Sequence, residues 1–267
     1  ELPQSTRQDA ATALRPMSQR RTAWIVGGGS GIGAEMARLL AARGWTVAIS
    51  GRRVDRLDEV ARSSDHIRPY PLDVTDPVAV QRVLGQLALE LGHIELFVFG
   101  AATWQPLSVG DYDFDQFQRL VNTNLMGFVR LANPVVAQMA AQGGGQLAVI
   151  ASVAGYFGLP RAAAYNATKG ALINLLQTMR TELEPQQIKV RMIAPGFFKS
   201  ELTAKNDFPM PFLMETDAAA RRAVDGLLNS DRFEIAFPRR LVWPLKLMRM
   251  PPNLDTFQNR IWLMPKR

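Results

Sequence analysis

The sequence predicts an α/β protein built on one doubly wound parallel sheet of about seven strands, with helices on both faces. Three observations carry that expectation. From Thr22 onward, short apolar runs alternate with longer amphipathic stretches, which is how successive βαβ units are written in a sequence. The glycine-rich turn Gly27-Gly28-Gly29-Ser30-Gly31-Ile32-Gly33 joins the first apolar run to the first amphipathic stretch. A chain of 267 residues with 47% hydrophobic content can bury one substantial core, so one large domain is expected.

Taken in order, strands are expected at 22–26, 45–50, 67–72, 95–99, 146–151, 188–194 and 233–236, each a short run suited to a buried parallel strand. Helices are expected at 31–43, 53–62, 77–91, 113–140, 163–184 and 217–229. Asp76-Pro77 is a strong helix start, because aspartate caps the first free N–H groups and proline at the first helical position sacrifices no bond. Pro134 should kink the 113–140 helix or mark an end, because it removes a donor from the ladder.

There is no cysteine, so disulfides and thiolate zinc sites are excluded, and two histidines leave little for a metal cluster; no metal is expected. No apolar run reaches the roughly 20 residues of a membrane span and no secretory signal pattern opens the chain, so a soluble, cytoplasmic protein is expected. The formal charge of +7 could suggest a nucleic-acid partner, but its placement argues against one. Residues 22–236 carry 20 basic and 21 acidic side chains, whereas 237–267 carry seven and one. The body is near neutral, and the basic character sits at the ends. Arginine outnumbers lysine 25 to 6, in keeping with a GC-rich bacterial genome. Residues 1–21 form a polar leader without apolar periodicity, native or in part vector-derived, with Met17 as the expected natural start.

Chemistry is expected around Tyr165-Asn166-Ala167-Thr168-Lys169. On a helix, Tyr165 and Lys169 stand at i and i+4 and project from one face about a turn apart. A phenol of pKa ~10 is a poor acid–base catalyst at neutral pH, and bringing it near 7 needs about 4 kcal/mol. One cation ~4 Å away at an effective dielectric of ~20 supplies about that much. Ser152 lies thirteen residues before Tyr165, at the end of the run 146–151, where a strand delivers a hydroxyl to the sheet's edge. Asn124 lies upstream in Asn124-Leu125-Met126-Gly127.

With Gly27, Gly31 and Gly33 ahead of them in G-x-x-x-G-x-G spacing, these residues resemble the short-chain dehydrogenase/reductase family over roughly residues 22–236. The resemblance implies a Rossmann-type catalytic domain and an oxidoreductase that moves a hydride between a nicotinamide dinucleotide and a carbonyl or alcohol substrate. It implies that Tyr165 donates or removes the proton and that Ser152 hydrogen-bonds the substrate oxygen. Lys169 would lower the Tyr165 pKa and hold the nicotinamide ribose, and Asn124 would position water in a relay to Lys169. Two places depart from the family pattern. Val26 stands where threonine is usual, and Phe99-Gly100-Ala101-Ala102 replaces Asn-Asn-Ala-Gly. The second change puts in doubt the usual side-chain bonds that brace the sheet, while Gly100 and Ala101 still allow close backbone approach to a ribose.

In the cofactor half, backbone N–H groups of Gly27, Gly29, Ser30, Gly31, Ile32 and Gly33, with the positive helix terminus, are expected to meet a pyrophosphate. The second strand ends in Ser50-Gly51-Arg52-Arg53, and Gly51 occupies the position of an acid that would bind a ribose 2′-hydroxyl. No carboxylate repels a 2′-phosphate there, and arginine suits phosphate geometry, so NADP is expected over NAD. Arg52 is the first choice for that contact, since Arg53 also reads as a solvated helix-start residue. Asp73 and Val74 match the adenine side, although an aspartate after a strand is also ordinary turn chemistry. Pro195 and Gly196 match the turn beside the nicotinamide, and Ser200 stands where a threonine often meets its carboxamide.

The segment 197–216 holds Phe197, Phe198, Leu202, Phe208, Met210, Phe212, Leu213 and Met214, with Pro209 and Pro211 preventing a regular helix, and reads as an apolar substrate lid. The facing wall is expected from 103–105 and 154–157, beyond the fourth and fifth strands. A homodimer or homotetramer through helices 113–140 and 163–184 is expected, since Leu172, Leu175, Leu176 and Met179 extend beyond one core face. The basic tail 237–267, if helical, puts Leu241, Leu245 and Met248 on one face. That face packs on the substrate pocket or a partner, or makes a weak contact with an anionic membrane surface. Besides the enzyme, a catalytically idle nucleotide sensor or a membrane-surface scaffold on the same fold fits the pattern.

Overall fold

A computed structural model describes residues 21–110, 113–206 and 208–248. Seven strands, β1 (Thr22–Val26), β2 (Thr46–Gly51), β3 (Ile67–Pro71), β4 (Leu96–Phe99), β5 (Gly145–Ile150), β6 (Ile188–Pro195) and β7 (Glu234–Phe237), form one sheet in the order β3-β2-β1-β4-β5-β6-β7. Every neighbouring pair is parallel. The chain builds outward from β1 to β3, then returns to the far side of β1 and builds outward again from β4 to β7. A crevice must therefore open where β1 and β4 lie side by side, beyond their carboxyl ends.

Alternation along each strand divides the core between the two faces of the sheet. Trp24 and Val26 of β1 pack with Phe97, Phe99, Phe128 and Leu131 on one face. Ala23 and Ile25 pack with Met36, Leu40, Ile49 and Leu57 on the other. The buried Trp24 indole donates to Ser50 Oγ at 2.9 Å, so its polar atom costs nothing in the interior.

The helices are α1 (Gly31–Ala42), α2 (Val54–Ala61), α3 (Pro77–Glu90), α4 (Phe114–Val121), α5 (Gly127–Ala141), α6 (Ala163–Leu183), α7 (Thr216–Asn229) and α8 (Arg239–Met248). Asp76 caps α3 as its sequence requires, accepting from the N–H groups of Val78 and Ala79. The expected helix 113–140 is divided, but not at Pro134. That proline lies inside α5, and the break is a π-turn over Asn122–Met126 that separates α4 from α5. The wider turn sets Asn124 inside the protein, where its amide bonds the backbone after β4.

Two further expectations change with packing. Leu172, Leu176 and Met179 of α6 are buried within the chain, so they are core residues and not a spare face for a partner. In the tail, α8 turns Leu241, Val242 and Leu245 into the core, while Trp243 and Leu247 of the same helix stay exposed. Lys246 pairs with Glu234 of β7, and Glu234 also accepts from the Tyr156 hydroxyl, tying α8 to the sheet. The leader 1–20 and the tail beyond Met248 lie outside the described residues. Among the described residues no helix is long and apolar enough to cross a membrane.

Candidate active site

The crevice above β1 and β4 is a cavity of about 1090 Å³. At one end lies the turn between β1 and α1. The Gly27 and Gly28 N–H groups donate to Ser50 O at 2.7 and 3.1 Å, which anchors the turn to β2. The Gly27 N–H expected at a pyrophosphate is therefore already bound, and this glycine serves by compactness. A Cβ on it would meet Gly100 C at 2.6 Å, and its φ of 92° suits glycine. A Cβ on Gly33 would likewise run into Gly27 O, so both residues let α1 and β4 close on the turn.

Gly29, Ser30, Gly31 and Ile32 then face the cavity. Ser30 occupies the N-cap of α1 without a side-chain cap bond, so the first N–H groups of the helix have no side chain closing them off. A Cβ on Gly31 would point into open groove, with only Ser200 Cβ within reach at 3.8 Å. An uncapped helix terminus behind a glycine-lined groove is an anion cradle, and these residues fit the pyrophosphate of a dinucleotide. Beside it, Arg52, Arg53, Asp73 and Val74 line the cavity. Arg53 donates to Ser30 Oγ at 3.1 Å and pairs with Glu201 at 2.8 Å, whereas Arg52 has no hydrogen-bond or ion-pair partner among the described residues. Asp73 Oδ1 accepts from the N–H and the hydroxyl of Thr75 at 2.9 and 2.7 Å, the turn chemistry that its position also suggested.

At the other end, Ser152, Tyr165 and Lys169 meet in the same cavity. Ser152 follows β5 and caps the next short turn by accepting from the Ala154 N–H at 3.1 Å. Tyr165 and Lys169 share one face of α6, with the ammonium 5.5 Å from the phenol ring centroid. Lys169 is 2% exposed and donates to Ile150 O at 2.7 Å. The expected depression of the Tyr165 pKa does not hold in this arrangement. Burial pushes the phenol up to about 12, outweighing a hydrogen bond with Ser152 that pulls it down. The same burial lowers the Lys169 ammonium to about 8. Desolvation is the larger effect at both groups, and a cation 5.5 Å from the ring centroid does not reverse it at the phenol.

Asn124 is fully buried and does not line the cavity. Its Oδ1 accepts from Thr103 N–H at 2.8 Å and its Nδ2 donates to Thr103 O at 3.0 Å, so it braces the loop after β4. Gly100 and Ala101 line the cavity, and Gly100 N–H donates to Val26 O at 2.7 Å.

Pro195, Gly196 and Ser200 line the cavity as expected, although the Ser200 hydroxyl already bonds Thr203 Oγ1 at 3.1 Å. Of the apolar residues in 197–216, Phe197, Phe198, Leu202 and Phe208 face inward. Phe212 and Leu213 are 50% and 41% exposed and Met214 packs on the core, so only the first part of the segment covers the site. On the facing wall Thr103, Trp104, Ala154 and Phe157 line the cavity. Gln105 and Gly155 do not, and Tyr156 turns into the core toward Glu234. Trp104 stands edge-on to Tyr165 at 5.3 Å and donates to Asn206 Oδ1 at 3.0 Å, which links the proton-bearing ring to the covering segment. Sequence reading missed Arg56 and Glu201 at the cofactor end, for which no spacing gave a signal. It also left open that Leu241 and Leu245 of α8 line the cavity, although the amphipathic pattern of the tail pointed that way.

Comparison with known proteins agrees with this geometry. The family model "short chain dehydrogenase" matches residues 21–209. An uncharacterized oxidoreductase of Myxococcus xanthus is 35% identical over 237 residues, covering 87% of this chain and 93% of the relative. An uncharacterized oxidoreductase of Mycobacterium tuberculosis is 31% identical over 251 residues, covering 88% and 96%. Among solved structures, a short-chain type dehydrogenase/reductase from Mycobacterium marinum superposes with a TM-score of 0.73 at 27% identity, covering 81% of this chain and 93% of the other. A short-chain dehydrogenase from Streptomyces avermitilis shares the fold at a TM-score of 0.79 and 22% identity, covering 90% and 95%. The chain belongs to the short-chain dehydrogenase/reductase family and is an oxidoreductase of that type.

Proposed function

We infer that this protein transfers a hydride between NADP(H) and a carbonyl/alcohol pair carried on an apolar substrate, with Tyr165 as general acid/base. The observation that carries the reading is the meeting of Ser152, Tyr165 and Lys169 in one cavity with the uncapped, glycine-lined α1 terminus. The nicotinamide supplies the hydride for reduction or receives it in oxidation. With a pKa pushed up to about 12, Tyr165 holds its proton at neutral pH but is a weaker acid than a free phenol, so its role as donor to a carbonyl oxygen is supported by its position beside Ser152 and not by its acidity. Ser152, hydrogen-bonded to the phenol, offers a second donor where negative charge develops. Lys169, held by Ile150 O, stands behind the phenol as a cation that becomes neutral only above about pH 8. Asn124 acts through the Thr103 loop as a positioning residue.

The apolar character of the substrate follows from Trp104, Phe157, Phe197, Phe208, Leu241 and Leu245 around the catalytic end. NADP is preferred in this reading because Arg52 and Arg53 stand at the end of β2, where Gly51 takes the position of the acid that would bind a ribose 2′-hydroxyl. The test is consumption of NADPH and NADH against a panel of hydrophobic aldehydes and ketones, run with wild type and Tyr165→Phe. Turnover should fall by about 10²–10⁴-fold in the variant, with NADPH affinity within a few-fold. Turnover that survives Tyr165→Phe sinks the assignment. Absence of turnover in wild type across the panel, with NADPH still bound, favours the idle nucleotide sensor.

A further inference from the structure

The first turn of the covering segment reaches back to the cofactor end. Ser200 N–H donates to Thr203 Oγ1 at 2.9 Å, Thr203 Oγ1 donates to Phe198 O at 2.7 Å, and Thr203 N–H donates to Ser200 Oγ at 3.1 Å. Its base is tied to the start of α7 by Lys199 N–H on Met214 O at 3.0 Å. Glu201 is therefore presented from a turn closed on itself. Its carboxylate pairs with Arg53 at 2.8 Å and reaches Arg56 at 3.8 Å, while Arg56 also holds Glu59 at 3.0 Å. Arg53 is the same side chain that bonds Ser30 at the head of α1. Glu201, Arg53, Arg56 and Ser30 all line the cavity.

We propose that Glu201 is an internal competitor for the 2′-phosphate of NADP(H), and thereby sets how strongly the protein discriminates the phosphorylated dinucleotide from the plain one. The proposal rests on the cofactor reading above. A carboxylate on Arg53 occupies the fork that would otherwise receive phosphate oxygens, and two anions cannot share it without repulsion. The side chains of Arg53 and Glu201 are 48% and 56% exposed, so the pair is solvated, weak and readily exchanged. With NAD(H) there is nothing to displace. The ribose 2′-hydroxyl is a donor, and Glu201 supplies from the covering segment the acceptor that Gly51 lacks at the end of β2. Arg52, without a partner among the described residues, stays available to either nucleotide.

The experiment measures Kd for NADPH and NADH, by the fluorescence of the reduced nicotinamide, on the full chain as wild type, Glu201→Gln, Arg53→Ala and the double variant. Glu201→Gln should tighten NADPH about three- to fivefold and leave NADH unchanged or weaker. In the Arg53→Ala background that gain should drop below about twofold, because the competition runs through Arg53. A Glu201→Gln variant whose NADPH affinity is unchanged or lower overturns the proposal, as does a gain that persists in full without Arg53. A wild type with no NADPH preference overturns the cofactor reading instead, whichever way Glu201→Gln behaves.

Discussion

Lys169→Met is the perturbation with the most direct physical signature. The wild-type ammonium is 2% exposed, and burial lowers its pKa from 10.5 to about 8. Because the folded value lies below the unfolded one, the native state binds fewer protons between those two pH values. The stability linked to this group is present above about pH 10.5 and is lost as pH falls toward 8. The full difference of about 2.5 units corresponds to about 3 kcal/mol, already lost at pH 7; about 2 kcal/mol of it should return on raising the pH to 9.5. Methionine fills a similar volume and carries no proton. It also leaves Ile150 O without the 2.7 Å bond, a cost of about 1–3 kcal/mol that does not depend on pH. The assay is chemical denaturation of both proteins across this pH range. Relative to wild type, Lys169→Met should lose about 2 kcal/mol of stability on going from pH 7 to pH 9.5, since only wild type gains there. A stability difference that stays flat with pH refutes the argument that the buried cation is the strained group of the site.

The remaining expectations follow from single contacts. Trp104→Phe keeps an aromatic ring beside Tyr165 but removes the donor to Asn206, so KM for an apolar substrate should rise several-fold while kcat changes little; steady-state kinetics read the split. Leu245→Ala, at a side chain 4% exposed beneath the cavity, should cost about 2–4 kcal/mol in a denaturant melt and weaken bulky substrates more than small ones. Sedimentation at micromolar concentration should give a dimer or tetramer. With Leu172 and Leu176 buried, the expected contact through α6 falls on outward residues such as exposed Ala167, so Ala167→Arg should yield monomer.

Much of this protein was legible from its residues alone. The seven strands lie within a residue of their expected positions, and the five inner ones, all but the edge strands β3 and β7, are the short apolar runs that parallel strands buried on both faces require. Asp76-Pro77 announced α3 for the same local reason, since a cap and its helix are neighbours in sequence. That Ser152, Tyr165 and Lys169 would come together was also readable, two by i,i+4 spacing on one helix and the third by its place at a strand end, and all three line one cavity. What the sequence could not supply was everything decided between segments distant along the chain. Only folding brings Glu201 onto Arg53, 148 residues away, and Trp104 onto Asn206, 102 residues away. Only packing showed that Asn124 is spent on Thr103 and that the break before α5 serves this residue and not Pro134. The Tyr165 and Lys169 shifts belong to the same class. Spacing placed a cation near a phenol, but burial, a property of the whole assembled core, set the direction in which each proton equilibrium moved.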